Sequence, residues 1–157
     1  MSLAALGCNP NQSGPSLEDI GGVTLGTLAF SPDGGLYVAV QAGQVISPYA
    51  CAAISGDWEL RAMDLSDDAN LSMAICFPQV RIENDAYGWG LVFGNGFGIA
   101  AAAIAAGAIL YPHNTEGRIS STAAALHLNG VHARTAQGSA GSPVSIAVQW
   151  PSVDLIA

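Results

Sequence analysis

The stretch from Tyr87 to Pro151 constrains the fold most strongly. It reads YGWGLVFGNGFGIAAAAIAAGAILYPHNTEGRISSTAAALHLNGVHARTAQGSAGSPVSIAVQWP, short apolar segments broken by Asn, Gly, Thr, Ser and Pro. That is the pattern of a β-meander. Val144, Ile146 and Val148 alternate with Ser145, Ala147 and Gln149, the period-two signature of a half-buried strand. Upstream, Ala108–Tyr111 predicts one strand and Arg118–Thr122 a short return strand. His113–Gly117 is the turn between them, with Gly117 free to take positive φ. Leu126–Ala133 predicts another strand, Gln137–Ser142 a loop, and Trp150-Pro151 the end of the last strand.

The first half has the same character. Val23–Phe30 predicts a strand and Leu36–Val40 its return. Ser31-Pro32-Asp33-Gly34-Gly35 is the hairpin turn between them, where Pro presets φ and the glycines supply positive φ. Val45–Ile54 is a further apolar stretch. Pro48 cannot donate to a ladder, so it marks an edge or a strand's first residue. Residues 55–70 hold the densest charge and read as a solvated loop. Asp64, Ser66 and Asp68 stand two apart, as in a calcium loop. The motif fails, because Ala69 occupies the position that needs Gly and Ile75 the one that needs Glu. Leu71–Ile82 reads as two short strands, or one bent at Pro78, followed by a turn at Glu83-Asn84-Asp85.

Residues 91–110 approach the ~20 residues of a spanning helix. Asn95 and four glycines interrupt them, no basic flank follows, and Ala adds little to insertion. A strand pair is expected there, with a buried Ala-rich helix from Ile99 to Ala106 as the alternative. Gly94-Asn95-Gly96-Phe97-Gly98 reads as a glycine-rich turn. Its third glycine comes one position early for a dinucleotide fingerprint, and a chain without lysine has no Walker loop.

Charge excludes one class of partner. Twelve carboxylates face only Arg61, Arg81, Arg118 and Arg134, for a net charge of −8, so phosphate backbones are repelled and no nucleic acid is expected. Cys8, Cys51 and Cys76 are an odd count with no zinc spacing. They are expected as reduced thiols, Cys51 and Cys76 in the core. His127 and His132 are an odd number apart and would face opposite sides of one strand; with His113 they read as surface or loop histidines. Gly138-Ser139-Ala140-Gly141 is not a nucleophile elbow. The expectation is therefore no catalytic residue, no metal site and no cofactor. The N-terminus has no basic segment and only a short apolar patch, so neither a signal peptide nor a lipoprotein site at Leu6-Gly7-Cys8 is expected.

Several elements in order carry a family resemblance. They are Asp33–Val40 with Gln44-Val45-Ile46, Tyr87-Gly88-Trp89, Ala106-Gly107 with Leu110-Tyr111, Glu116-Gly117-Arg118-Ile119, Leu128-Asn129-Gly130-Val131 and the closing Trp150-Pro151. Over residues 24–151 the chain resembles the small head decoration, or cement, proteins of tailed bacteriophages. The resemblance implies a mostly β, compact single domain, sandwich- or barrel-like, with an extended N-terminal arm. It implies a non-enzymatic protein on the outer surface of the capsid head, assembled in the host cytoplasm. Its partners would be the major capsid protein and copies of itself, a trimer in particular, with no membrane.

Residues 1–22 read as the arm and 23–157 as the β-rich domain. Ser16-Leu17-Glu18-Asp19 has the form of a helix start, ended at once by Gly21-Gly22. A segment broken by Pro10, Gly14 and Pro15 cannot bury Leu3, Leu6, Leu17 and Ile20 by itself, so these four are the candidate capsid-binding residues. The alternative function is a carbohydrate- or host-surface-binding domain displayed on a virion, with Trp58, Trp89, Trp150, Tyr37 and Tyr87 as a stacking platform. Exposed aromatics beside Asp or Asn favour that alternative. A buried Trp89 and Trp150 with a flat apolar base favour decoration.

Overall fold

Strand β7, Tyr87–Ala100, is the spine of the fold, and five other strands among the described residues pair with it. The computed structural model describes residues 7–65 and 74–155. Around β7 lie β1 (Ser13–Gly14), β2 (Leu28–Phe30), β3 (Leu36–Ala42), β4 (Ala52–Ile54), β5 (Glu59–Ala62) and β6 (Ile75–Pro78). After it come β8 (Tyr111–Pro112), β9 (Arg118–Ser120), β10 (Leu126–Ala133) and β11 (Pro143–Leu155). A 3-10 turn at Leu17–Ile20 is the one helical element among the described residues. The expected mostly-β single domain is what forms.

Five strands close into a barrel. β7 pairs antiparallel with β3 on one edge and β6 on the other. β6 pairs with β4, β4 with β5, and β5 returns parallel to β3 through Gln41–Glu59 and Ala42–Leu60. So few strands enclose a bore that side chains must fill. Val38, Val40, Ala42, Ala52, Ile54, Leu60, Cys76 and Val92 fill it. Gly88 and Gly90 also face inward: a Cβ on Gly90 would overlap Cys76 Sγ, and one on Gly88 would overlap Ile82 Cδ1. The Tyr87-Gly88-Trp89-Gly90 alternation thus puts its glycines in the narrow bore and Trp89 outside it.

A second core covers the outer face of the barrel. Tyr37, Ala53, Phe77, Trp89 and Leu91 meet Leu110, Ile119, Leu126, Leu128, Val131, Val144, Ile146 and Val148 from the later strands. β7 reaches both cores through its two faces, and it also bends. Its register against β3 slips between Leu91 and Phe93, and Gly94 takes φ +111°. Beyond the bulge the parity inverts. Gly94, Gly96 and Gly98 turn inward, Gly98 so tightly that a Cβ would lie 2.6 Å from Ile119 Cδ1. Phe93, Asn95 and Phe97 turn outward. The expected glycine-rich turn is therefore a strand, and its glycines let one sheet lie against another.

A second bulge corrects two further expectations. Asn129 pairs with Ser152 and Val131 with Val148, so Gly130 faces three residues, Gln149 to Pro151. Gly130 takes φ +70° and Trp150 φ +49°. β11 does not end at Trp150-Pro151. It continues to Leu155, and the proline is tolerated because bulged residues leave the ladder. The parity change also puts His127 and His132 on the same outward face.

Other boundaries shift. The strand expected at Val23–Phe30 shrinks to β2, since Gly26 (φ +79°) turns the chain under the Trp58 ring. The loop expected over 55–70 contains β5, which closes the barrel; Ser66 and Asp68 of the rejected calcium pattern lie outside the described residues. The strand expected at Ala108–Tyr111 is reduced to an Ile109–His132 bridge and β8. Residues 101–106 form neither helix nor long strand, and Ile104 makes a bridge to Gln137. No helix among the described residues is long and apolar enough to cross a membrane.

Candidate binding surface

The expected arm divides. Leu3 and Leu6 lie outside the described residues. Ser13 and Gly14 pair with Gly88 and Tyr87 of β7. Ser16 N–H and Oγ–H both donate to Asp19 Oδ2, at 2.9 and 3.0 Å, and Gly21 ends the turn at φ +99°. That short turn aims Ile20 into the core, where it is 2% exposed, and packs Leu17 against the same cluster. Ile20 and Leu17 are thus held by this domain's own second core, because a hydrogen-bonded turn supplies the rigidity that Pro10, Gly14 and Pro15 do not. The packing boundary precedes residue 13 rather than following residue 22.

Reactive chemistry is not assembled among the described residues. All three cysteines are free and buried. Burial, helped by Asp33, pushes the Cys8 thiol up to about 11, and burial alone pushes Cys51 up to about 12. Burial also raises Cys76, with the Cys51 thiol adding to it. None of the three is a thiolate at neutral pH. His127 packs beside Tyr111, ring centroids 5.7 Å apart, and His113 Nδ1 accepts the Thr115 N–H at 3.0 Å within a turn. No group of three His, Cys, Asp or Glu side chains converges among the described residues.

What the surface offers is aromatic. Phe30 lies opposite Leu36 across β2–β3, and Leu36 opposite Phe93 across β3–β7. Trp150 adds to the row, its ring centroid 6.4 Å from that of Phe93. Phe30, Phe93 and Trp150 are 58%, 42% and 57% exposed, so an apolar band crosses the rim of the barrel beside the end of its bore, where Leu36 and Val92 are buried. Trp150 reaches it only because the bulge holds its backbone in the left-handed region, uncommon for a bulky residue.

One cleft lies beside this band, and a larger groove lies at the opposite end of the barrel, by the Tyr87 start of β7. A groove of about 500 Å³ runs between Ser13–Pro15 and Glu83–Ala86. A smaller cleft of about 210 Å³ lies between the Asp33 turn and the Tyr49 loop, floored by Asn95, Gly96 and Phe97. Phe97 is 45% exposed and stands against Tyr49, centroids 5.5 Å apart and tilted 58°.

Of the expected stacking platform, Trp150 and Trp58 are exposed, Tyr87 is half-buried, and Trp89 and Tyr37 are buried, so of the two tryptophans whose burial was expected of a decoration protein only Trp89 is buried. Sequence reading missed Phe30, Tyr49, Phe93 and Phe97. A signal for two of them was present: in Phe93-Gly94-Asn95-Gly96-Phe97-Gly98 one side of the strand is all glycine, so that side presses on a neighbour and the other carries the phenylalanines outward.

No family model matches the chain, and no curated protein matches its sequence. In fold it is similar to the base described as "head fiber gp8.5 N base in bacteriophage phi29", with a TM-score of 0.53 and 15% identity. That likeness covers 74% of this chain and 95% of the phage protein, so the two share one fold across the whole of that base.

Proposed function

We propose that this chain is a structural protein of a tailed-phage virion, a decoration protein that binds the outside of the expanded capsid head and bridges neighbouring capsomers. The observation that carries the reading is the fold shared with the phi29 head-fiber base over nearly that protein's full length. Three properties of this chain support it. An exposed apolar band, Phe30, Phe93 and Trp150, is available for a protein partner. The net charge of −8 suits a shell exterior remote from packaged DNA. The burial of all three thiols, which raises their pKa and keeps them protonated at neutral pH, suits a non-enzymatic role.

The partner is the major capsid protein, met by the rim band and, in this reading, by Leu3 and Leu6, which precede Gly7 where it bridges to Phe30. A protein that binds the assembled shell and not its parts stabilises the shell by RT ln(1 + [L]/Kd) per site. A homo-trimer would engage several capsomers and gain effective concentration, so modest single contacts suffice. The test is to add the purified protein to undecorated expanded shells and measure occupancy and the shells' thermal disruption. Saturable occupancy with a raised disruption temperature is expected. Absence of both at protein concentrations that leave the chain folded overturns the reading.

A further inference from the structure

Among the described residues, one stretch of β7 has no strand on one edge. β3 leaves it at the Leu36–Phe93 pair, and β9 joins only at Ile99. In the gap the Gln79 side chain stands in for a strand. Its Oε1 accepts the Phe97 N–H at 3.0 Å, and its Nε2 donates to the carbonyls of Phe97 at 3.3 Å and Phe77 at 2.8 Å. The Phe97 amide therefore points away from β11, as does that of Ile99, which donates to the Tyr49 carbonyl at 3.1 Å. By the same two-residue period the main-chain N–H and C=O of Asn95 point that way too, into the 210 Å³ cleft.

The cleft is built rather than left over. Tyr49 is fixed at φ +65° by its own N–H to the Pro78 carbonyl at 2.7 Å and by the bond from Ile99. A bulky residue held in that region is an outlier of the kind that clusters at binding sites. Opposite, Asp33 accepts the Gly35 N–H at 2.9 Å and the Tyr37 hydroxyl at 3.4 Å, which fixes its carboxylate with acceptor capacity remaining. The side-chain amides of Asn95 and Asn11 make no hydrogen bond within the described residues, and both line the cleft.

We infer that this cleft binds one ring of a neutral hexopyranose sugar. The exposed face of Phe97, braced by Tyr49, offers an apolar surface to the C–H face of a pyranose. Asp33, Asn95 and Asn11 offer the mixed acceptors and donors that adjacent hydroxyls require, since each hydroxyl both gives and takes a hydrogen bond. A few fixed polar groups beside an aromatic wall are the usual make-up of a small-molecule site. The volume is below the roughly 300–1,000 Å³ of drug-sized pockets, which suits a single ring. Asp33 and the net charge of −8 select against acidic sugars. The assignment stands apart from capsid binding; on a virion it would give the protein a second role, holding a surface glycan.

The test is ¹⁵N-resolved NMR of the intact chain with methyl β-D-glucopyranoside, methyl β-D-galactopyranoside and N-acetyl-D-glucosamine, and with sodium D-glucuronate as the acidic comparison. At least one neutral sugar should shift the amides of Asp33, Tyr49, Asn95, Gly96 and Phe97, saturating with a Kd of about a millimolar, while glucuronate leaves them unmoved. Phe97→Ala should abolish the shifts. Asn95→Ala, at an exposed position with no side-chain bond to lose, should keep the native spectrum and weaken binding by about tenfold or more. Silence from all three neutral sugars, shifts centred on Trp150 instead, equal binding of glucuronate, or unchanged affinity in Asn95→Ala would each overturn the assignment.

Discussion

Gly90→Ala tests the barrel interior at its tightest point. Gly90 has an ordinary backbone conformation, so the substitution introduces no left-handed strain. Its cost comes from space alone. The new Cβ would overlap Cys76 Sγ and lie 2.8 Å from Cys76 Cβ, with Val38 Cγ1 at 3.8 Å. β6 and β7 are bonded to each other there, Pro78 opposite Gly90 itself, so the wall cannot retreat without breaking the ladder that closes the barrel. Overpacking of this kind costs about 1–3 kcal/mol. At a urea m-value of about 1–3 kcal/mol/M, that lowers the midpoint by about 1 M without changing m. Cys76→Ala removes the Sγ that the new methyl meets and should itself cost little beyond a small cavity. Combined, the two changes should interfere less than their sum, with a coupling of about 0.5–3 kcal/mol in the favourable direction. Rescue should be partial, because the Cβ of residue 76 remains close. The assay is urea unfolding of the wild type, both single variants and the double variant, followed by circular dichroism. A neutral Gly90→Ala, or strict additivity of the pair, would refute the packing of β6 against β7 across the bore.

Removing residues 1–6 should leave the unfolding midpoint unchanged, whereas removing 1–22 takes away the β1 pairing and the Ile20 side chain, whose burial is worth roughly 1.5–3 kcal/mol; matched midpoints for the two truncations would contradict the seating of this segment. The buried thiols give stability a pH dependence of known sign: the Cys51 pKa is raised from 9.0 to about 12 in the folded chain, so its contribution is complete below pH 9.0 and is lost as pH rises from there toward 12. The slope in that window should be about 1.4 kcal/mol per pH unit for this one thiol, and Cys51→Ala should lower the total slope by that amount, the contributions of Cys8 and Cys76 remaining. A profile in which Cys51→Ala leaves the alkaline slope intact would count against its burial. Phe93→Ser with Trp150→Ser, both at exposed positions, should keep the fold and reduce shell occupancy by at least about tenfold, equivalent to ~1.4 kcal/mol. Undiminished occupancy would move the capsid contact off the rim.

The strands were readable where alternation is local and unbroken. The start of β11 follows from period two, and Ser31–Gly35 from turn chemistry. The closed barrel was not readable, because its last seam is the parallel pairing of Gln41 with Glu59, and no local pattern specifies a contact between distant segments. β5 was hidden by its own charge. Leu60 turns into the bore while Glu59 and Arg61, an exposed ion pair, share the outer side, and beside Asp57 and Asp64 the segment reads as a wet loop. The bulges near Val92 and at Gly130 were invisible for another reason: one extra residue inverts every face that follows, and the sequence does not mark where the count slips. The binding surface depends on those slips. They turn Phe93 and Phe97 outward and raise Trp150 from the sheet, so aromatics that alternation alone would assign to a core become the exposed ones.

The central claim is that this domain works on the outside of a phage head, and cryo-electron microscopy tests it most directly. Empty expanded shells of the cognate major capsid protein, imaged with and without the purified chain, should differ by density on the outer surface that fits the barrel and repeats at symmetry-related positions, with the Phe30, Phe93 and Trp150 rim facing the shell. Shells that remain bare at saturating protein, or density confined to their interior, would contradict the account.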